Sequence, residues 1–116
     1  MSGWGRTKAG GSPSIVLMQA KLPPVSQAEC SRQNDRYNGP KITKEMICGG
    51  DKPGTIKSGC QGDSGGPFVC TRDGTSFTLA GVVSWGSRNC DRNDKYTVFA
   101  RVSLFRDWID ETVRKN

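Results

Sequence analysis

Five cysteines stand far apart, at positions 30, 48, 60, 70 and 90, and no other feature of this 116-residue chain restricts its fold so strongly. None falls in a Cys-x-x-Cys pair and the chain has no histidine, so thiolates and carboxylates are the remaining side-chain ligands for a transition metal. Cysteines spaced in this way fit disulfides made in an oxidising compartment rather than a zinc site. Five is an odd number, so at least one sulfur has no partner within the chain. With 15 glycines and a hydrophobic content of only 34%, the expected class is a turn-rich β protein stapled by disulfides.

Other classes are excluded by what is missing. The 17 Lys and Arg against 11 Asp and Glu leave a charge of +6, but the basic residues are scattered. Nucleic acid would want a basic stripe with interleaved aromatics. The longest aliphatic run, Ile15–Met18, is far too short to span a bilayer. Met1–Gly5 has neither the basic nor the apolar part of an export signal. A chain of secreted type without that signal is expected to lack its beginning.

The apolar residues fall in short blocks. Ile15–Leu22 reads as a strand that Pro23-Pro24 ends, and Ser31–Lys41 as an exposed polar loop with a turn at Asn38-Gly39-Pro40. Met46–Cys48 is a strand candidate. Phe68–Thr71 and Phe77–Ala80 flank Asp73-Gly74 and predict a hairpin, whose second strand runs on towards Trp85. Val98–Val102 is a further strand. Ser103 can then cap a helix over 103–114, with Leu104, Phe105, Trp108, Ile109 and Val113 as its apolar face.

Between Cys60 and Cys70 stands Gly62-Asp63-Ser64-Gly65-Gly66-Pro67. A serine flanked by glycines suggests a nucleophile. Serine is weak in that role and needs a positioned base, most often an imidazole, and this chain offers none. The looser G-x-S-x-G pattern of α/β-hydrolases is met as well, but it wants a following helix and a later histidine. Pro67 and a β-type run follow instead.

The hexapeptide resembles the nucleophile segment of chymotrypsin-like (trypsin-fold) serine endopeptidases. The resemblance continues through Ser2-Gly3-Trp4-Gly5, Gln19–Pro23, Met46–Gly50, Val83–Gly86, Val98–Val102 and Trp108-Ile109, covering nearly the whole chain. It implies an all-β fold: the second six-stranded antiparallel β-barrel of such an enzyme, its first strand truncated, closed by the terminal helix. Residues 1–116 would form the C-terminal portion of one peptidase domain. Ser64 would be the nucleophile, and the N–H groups of Gly62 and Ser64 the oxyanion hole. Asp63 would pair with the amine freed by zymogen cleavage; its plainer role is a turn residue satisfied by local N–H groups. The implied disulfides are Cys30–Cys48 and Cys60–Cys90, with Cys70 bonded to a cysteine preceding Met1 and unpaired here.

The resemblance places the substrate pocket at Ser58, Gly59, Gln61, Ser84, Trp85, Gly86 and Thr97. Ser58 would be its floor, where trypsin-like enzymes carry an aspartate. A neutral floor leaves a buried substrate Arg or Lys without a counter-charge, and Thr97 would shorten the pocket. The expected preference is for small to medium apolar residues, unless Asp94 turns inward. The loop 90–96 is similar to a sodium-binding loop, with the ion on the carbonyls of Arg92 and Lys95 beside Tyr96. An exposed polar loop is the preferred reading, and no cofactor is required.

The family's catalytic histidine and aspartate belong to the first barrel and have no counterpart here, so the chain alone is expected to be inactive. Polypeptide substrates, the missing N-terminal barrel and protein protease inhibitors are the implied partners, and secretion the implied location. The competing view is a non-catalytic homologue kept as a binding module. Retention of both Ser64 and Gly62 weighs against it.

Overall fold

The computed structural model describes residues 1–51, 58–87, 90 and 95–116. Its strands are β1 (Ser2–Gly3), β2 (Met18–Gln19), β3 (Pro24–Val25), β4 (Met46–Gly49), β5 (Pro67–Thr71), β6 (Phe77–Trp85) and β7 (Thr97–Arg101). Helix α1 spans Gln27–Arg36; after β7 a 3-10 turn, Val102–Phe105, leads into α2, Arg106–Lys115. The strands form an antiparallel sheet in the order β3-β4-β7-β6-β5 and a separate pair, β1-β2.

The hairpin β5–β6 forms because the residues of its turn satisfy one another. Asp73 Oδ1 accepts the N–H groups of Thr75 and Ser76, and Thr71 Oγ1 accepts that of Gly74. Strand β7 is the centre of the fold. Because side chains alternate across a strand, Val98 packs with Cys30, Ile42, Cys48 and Tyr96, while Phe99 packs with Leu22, Phe68 and Val83. The rings of Phe68 and Phe99 stack with centroids 4.3 Å apart. The Cys30–Cys48 and Cys60–Cys90 disulfides are formed and Cys70 is a free thiol.

The structure corrects four expectations. Of the stretch Ser31–Lys41, residues 31–36 are helical, the later part of α1, while 37–41 keep the expected turn and loop. Ser26 accepts the Glu29 N–H at 3.2 Å as an N-cap, and the helix is fastened through Cys30, so capping and a covalent anchor replace the missing apolar stripe. The run from Ile15 yields only the two-residue β2, and Ile15 itself is 97% exposed. The terminal helix begins later than Ser103: the 3-10 turn intervenes, and α2 has no side-chain cap. The all-β class with a C-terminal helix holds, but among the described residues the strands do not close into one hydrogen-bonded barrel. Strand β1 spans two residues and pairs with β2, not with β5.

Among the described residues no helix is long and apolar enough to cross a membrane.

Candidate active site

Ser64 is exposed, in the turn that joins Cys60 to β5. Backbone bonds hold this turn on both sides. Asp63 N–H donates to Cys60 O and Gly66 N–H to Asp63 O, each at 3.0 Å; Gly65 N–H reaches Val83 O at 2.8 Å, and Val83 N–H returns to Gly66 O at 2.9 Å. The nucleophile candidate is thereby stapled to β6 without its own N–H being used.

Asp63 lies underneath. Its Oδ1 accepts the Gly5 N–H at 2.9 Å and its Oδ2 the Cys60 N–H at 3.0 Å. The carboxylate thus bridges the start of the chain and the root of the turn. Beside it opens a cavity of about 260 Å³ whose lining includes Met1, Gly3, Gly5, Ser58, Cys60 and Cys90. Of the local N–H groups expected for Asp63 in its plainer role, that of Cys60 is present; the other donor, Gly5, stands 58 positions away.

Gly62 has φ +98, a conformation that a Cβ disfavours. A Cβ there would also meet Gly5 Cα at 3.0 Å. The Gln61 carbonyl accepts the Arg6 N–H at 2.8 Å. In a trans peptide the N–H points opposite to the carbonyl, and no described peptide is cis, so the Gly62 N–H is turned away from Arg6. Neither it nor the Ser64 N–H enters a hydrogen bond among the described residues. Two unused backbone donors flanking a serine hydroxyl can receive the negative oxygen of a tetrahedral adduct.

A cleft of about 230 Å³ adjoins the serine. Of the residues expected there, Gly59, Gln61, Ser84, Trp85, Gly86 and Thr97 line it together with Ser64, and Cys60, Val83 and Ser87 complete the wall. The register between β6 and β7 shifts between Val83 and Trp85, an irregularity that takes Ser84 out of the ladder where the cleft opens. Thr97, 3% exposed, accepts the Gly59 N–H on Oγ1 at 3.0 Å. A Cβ on Gly59 would meet its Cγ2 at 3.1 Å, and one on Gly86 its Cα at 3.3 Å; Thr97 therefore fills the space between the two glycine walls.

Ser58 adjoins Thr97 and does not itself line the cleft. Its hydroxyl lies 3.4 Å from Thr97 Oγ1, donates to Gly59 O, and borders the cavity beside Asp63. Gln61 Oε1 rests 3.2 Å from both sulfurs of the Cys60–Cys90 bond; oxidised sulfurs carry no proton, so this is packing and not hydrogen bonding. Arg92 and Asp94 lie outside the described residues, while Lys95 is half-buried just before β7. Among the described residues no three His, Cys, Asp or Glu side chains cluster as metal ligands.

Sequence reasoning missed the part played by Gly5 and Arg6. The segment Trp4-Gly5 was visible as part of the resemblance, but nothing local indicates that its N–H groups reach across to the nucleophile turn.

The chain is similar to known proteins along nearly its whole length. The family model described as Trypsin matches residues 1–109. The chain is 45% identical to dog (Canis lupus familiaris) chymotrypsin-like elastase family member 1 over 118 residues, covering 100% of this chain and 43% of that protein. Bovine (Bos taurus) proproteinase E is 44% identical over 117 residues, 100% of the chain and 44% of its own length. Human (Homo sapiens) chymotrypsin-like elastase family member 3B is 43% identical over 114 residues, 97% of the chain and 40% of its own length. The chain therefore spans less than half the length of these relatives. With the family model matched from Met1 to Ile109 and these identities along the whole sequence, the chain belongs to the trypsin family, as a chymotrypsin-like member.

Proposed function

We propose that this chain carries the nucleophile, the oxyanion hole and the primary substrate pocket of a secreted serine endopeptidase. The observation that carries the reading is the pair of unused N–H groups at Gly62 and Ser64, set by the Gln61 carbonyl turning onto Arg6. Ser64 Oγ attacks the scissile carbonyl carbon and gives its proton to a histidine supplied from outside these 116 residues. The amine departs with that proton, and water then hydrolyses the acyl ester on Ser64. Alone, the chain has no imidazole and does not turn over.

The proposed specificity is for small to medium apolar residues. Thr97 fills the base of the cleft, and no described residue of its lining is charged. The names of the relatives, chymotrypsin-like elastases, support the same direction. Asp63 serves the amine released on zymogen cleavage, with the cavity beside it as the site of insertion. No cofactor is needed for this chemistry, and a sodium ion on the carbonyls of Arg92 and Lys95 stays subsidiary to it. Polypeptides are the substrates, and protein protease inhibitors a further class of partner.

The test uses the full-length protein that contains this segment. A fluorophosphonate should label Ser64 and fail on Ser64→Ala, and peptides ending in Ala, Val or Leu at the cleaved bond should be cut faster than those ending in Lys or Arg. Absence of labelling in a protein whose two disulfides are formed refutes the reading and favours a binding module.

A further inference from the structure

Thr97 lines the cleft between Gly59 and Gly86, and it is held by what stands on either side of it in sequence. Tyr96 and Val98 turn to the opposite face of the strand and pack with Cys30, Cys48 and Ile42. Two successive residues of helix α1 reach those two neighbours. Glu29 Oε1 accepts the Tyr96 hydroxyl at 3.1 Å. Cys30 is bonded to Cys48, and Cys48 is the register partner of Val98, as Gly49 is of Thr97.

The Glu29 carboxylate is itself oriented. Arg32 donates to Oε2 through Nε at 3.1 Å, which leaves Oε1 facing Tyr96, and the Ser26 cap fixes the Glu29 backbone. From Thr97 the connection continues to the nucleophile turn: Gly59 N–H bonds Thr97 Oγ1, and the adjacent Cys60 N–H bonds Asp63.

We propose that Glu29 and Tyr96 are positioning residues for the substrate pocket, fixing Thr97 beneath Gly59 from a helix that does not itself line the cleft. This deepens the proposed function and rests on the cleft being the primary pocket. On one side of Thr97, Val98 pairs with Cys48, which the disulfide ties to α1. The Glu29–Tyr96 bond holds the other and is the adjustable one. Losing it frees Thr97 to move off Gly59, so the pocket deepens and discriminates less against large side chains.

The test is made in the full-length protein with peptides carrying Ala or Phe at the cleaved bond. Tyr96→Phe and Glu29→Leu should each lower the Ala-to-Phe ratio of kcat/KM by about fivefold, through KM on the Ala peptide, with kcat held within about twofold. The double variant should be no worse than Glu29→Leu alone, because both substitutions break the same Glu29–Tyr96 bond. Glu29→Gln can bond the Tyr96 hydroxyl through either end of its amide, because a phenol both donates and accepts, and should retain the wild-type ratio, which separates loss of this bond from loss of fold. Hydrogen exchange at the Gly59 N–H should quicken in the first two variants and not in the last. If Thr97→Gly moves the ratio while Tyr96→Phe and Glu29→Leu do not, the inference is overturned and the pocket assignment stands. A ratio that Thr97→Gly also leaves unmoved overturns both.

Discussion

Gly5 and Gly62 meet backbone to backbone: a Cβ placed on Gly62 would lie 3.0 Å from the Cα of Gly5, where there is no side chain to move aside. The contact joins the start of the chain to the turn that bears Ser64, and beside it the Arg6 N–H holds the Gln61 carbonyl. Gly62→Ala must change both the φ of +98 and this approach, turning the 61–62 peptide and removing one oxyanion donor. In the full-length protein kcat should fall about 10²–10³-fold with KM little changed. Steady-state kinetics on one apolar peptide substrate checks it.

Asp63 uses both carboxylate oxygens on backbone N–H groups, those of Gly5 and Cys60. Asparagine can accept only one of the two and sets its own amide donor against the other. Asp63→Asn should therefore destabilise the protein by about 1–3 kcal/mol, the usual cost of a polar group left unpaired. Denaturant unfolding under non-reducing conditions measures the loss; an unchanged midpoint and slope would contradict it.

The parts of the fold legible in sequence were those whose signals are local and agree with one another. The hairpin of β5 and β6 is announced by Asp73-Gly74 between β-type runs, and β7 by its unbroken apolar core. Helix α1 was hidden because its residues are polar apart from Ala28 and Cys30; its evidence lay in Ser26 and Glu29, a capping pair, and in a disulfide that replaces an apolar face. Ile15–Leu22 misled for the opposite reason, being apolar yet left exposed over Ile15–Met18. The serine turn and most of its cleft followed from the family motif. Ser58 is the one residue of the expected pocket that does not line the cleft itself; its hydroxyl lies 3.4 Å from Thr97 Oγ1, a side-chain contact across 39 positions that local pattern does not reveal. The reach of Glu29 to Tyr96 spans 67 positions and leaves no trace in local pattern.

The exposed apolar residues predict how the isolated chain behaves. Trp108 is 67% exposed, and Leu104, Phe105 and Val113 on the same terminal segment are also open, as are Phe77 and Leu79 on β6. Patches of this kind seek cover. The 116-residue chain with both disulfides formed should associate with rising concentration in sedimentation velocity and bind an apolar dye. A monomer that melts sharply and reversibly would show that the two core clusters suffice without cover.

Asp73 gives the hairpin a defined acid sensitivity. Its carboxylate is held well below the ordinary value of 3.8 by the backbone N–H groups of Ser76 and Thr75, with the side chains of Thr75 and Thr71 adding to them. A carboxyl group whose pKa is depressed on folding stabilises the fold above its unfolded value, and that contribution is lost as pH falls through the folded value. The hairpin turn should thus be unchanged from neutral pH down to about 4 and loosen only in stronger acid. The side chain is fully exposed, so the effect should be confined to the turn, with Thr75 and Ser76 amide resonances shifting while those of β7 hold. In Asp73→Asn the same amides should already be shifted at neutral pH and show no further acid transition. A Thr75 or Ser76 titration centred at or above 3.8 in the wild type would mean that these N–H groups do not stabilise the charged form.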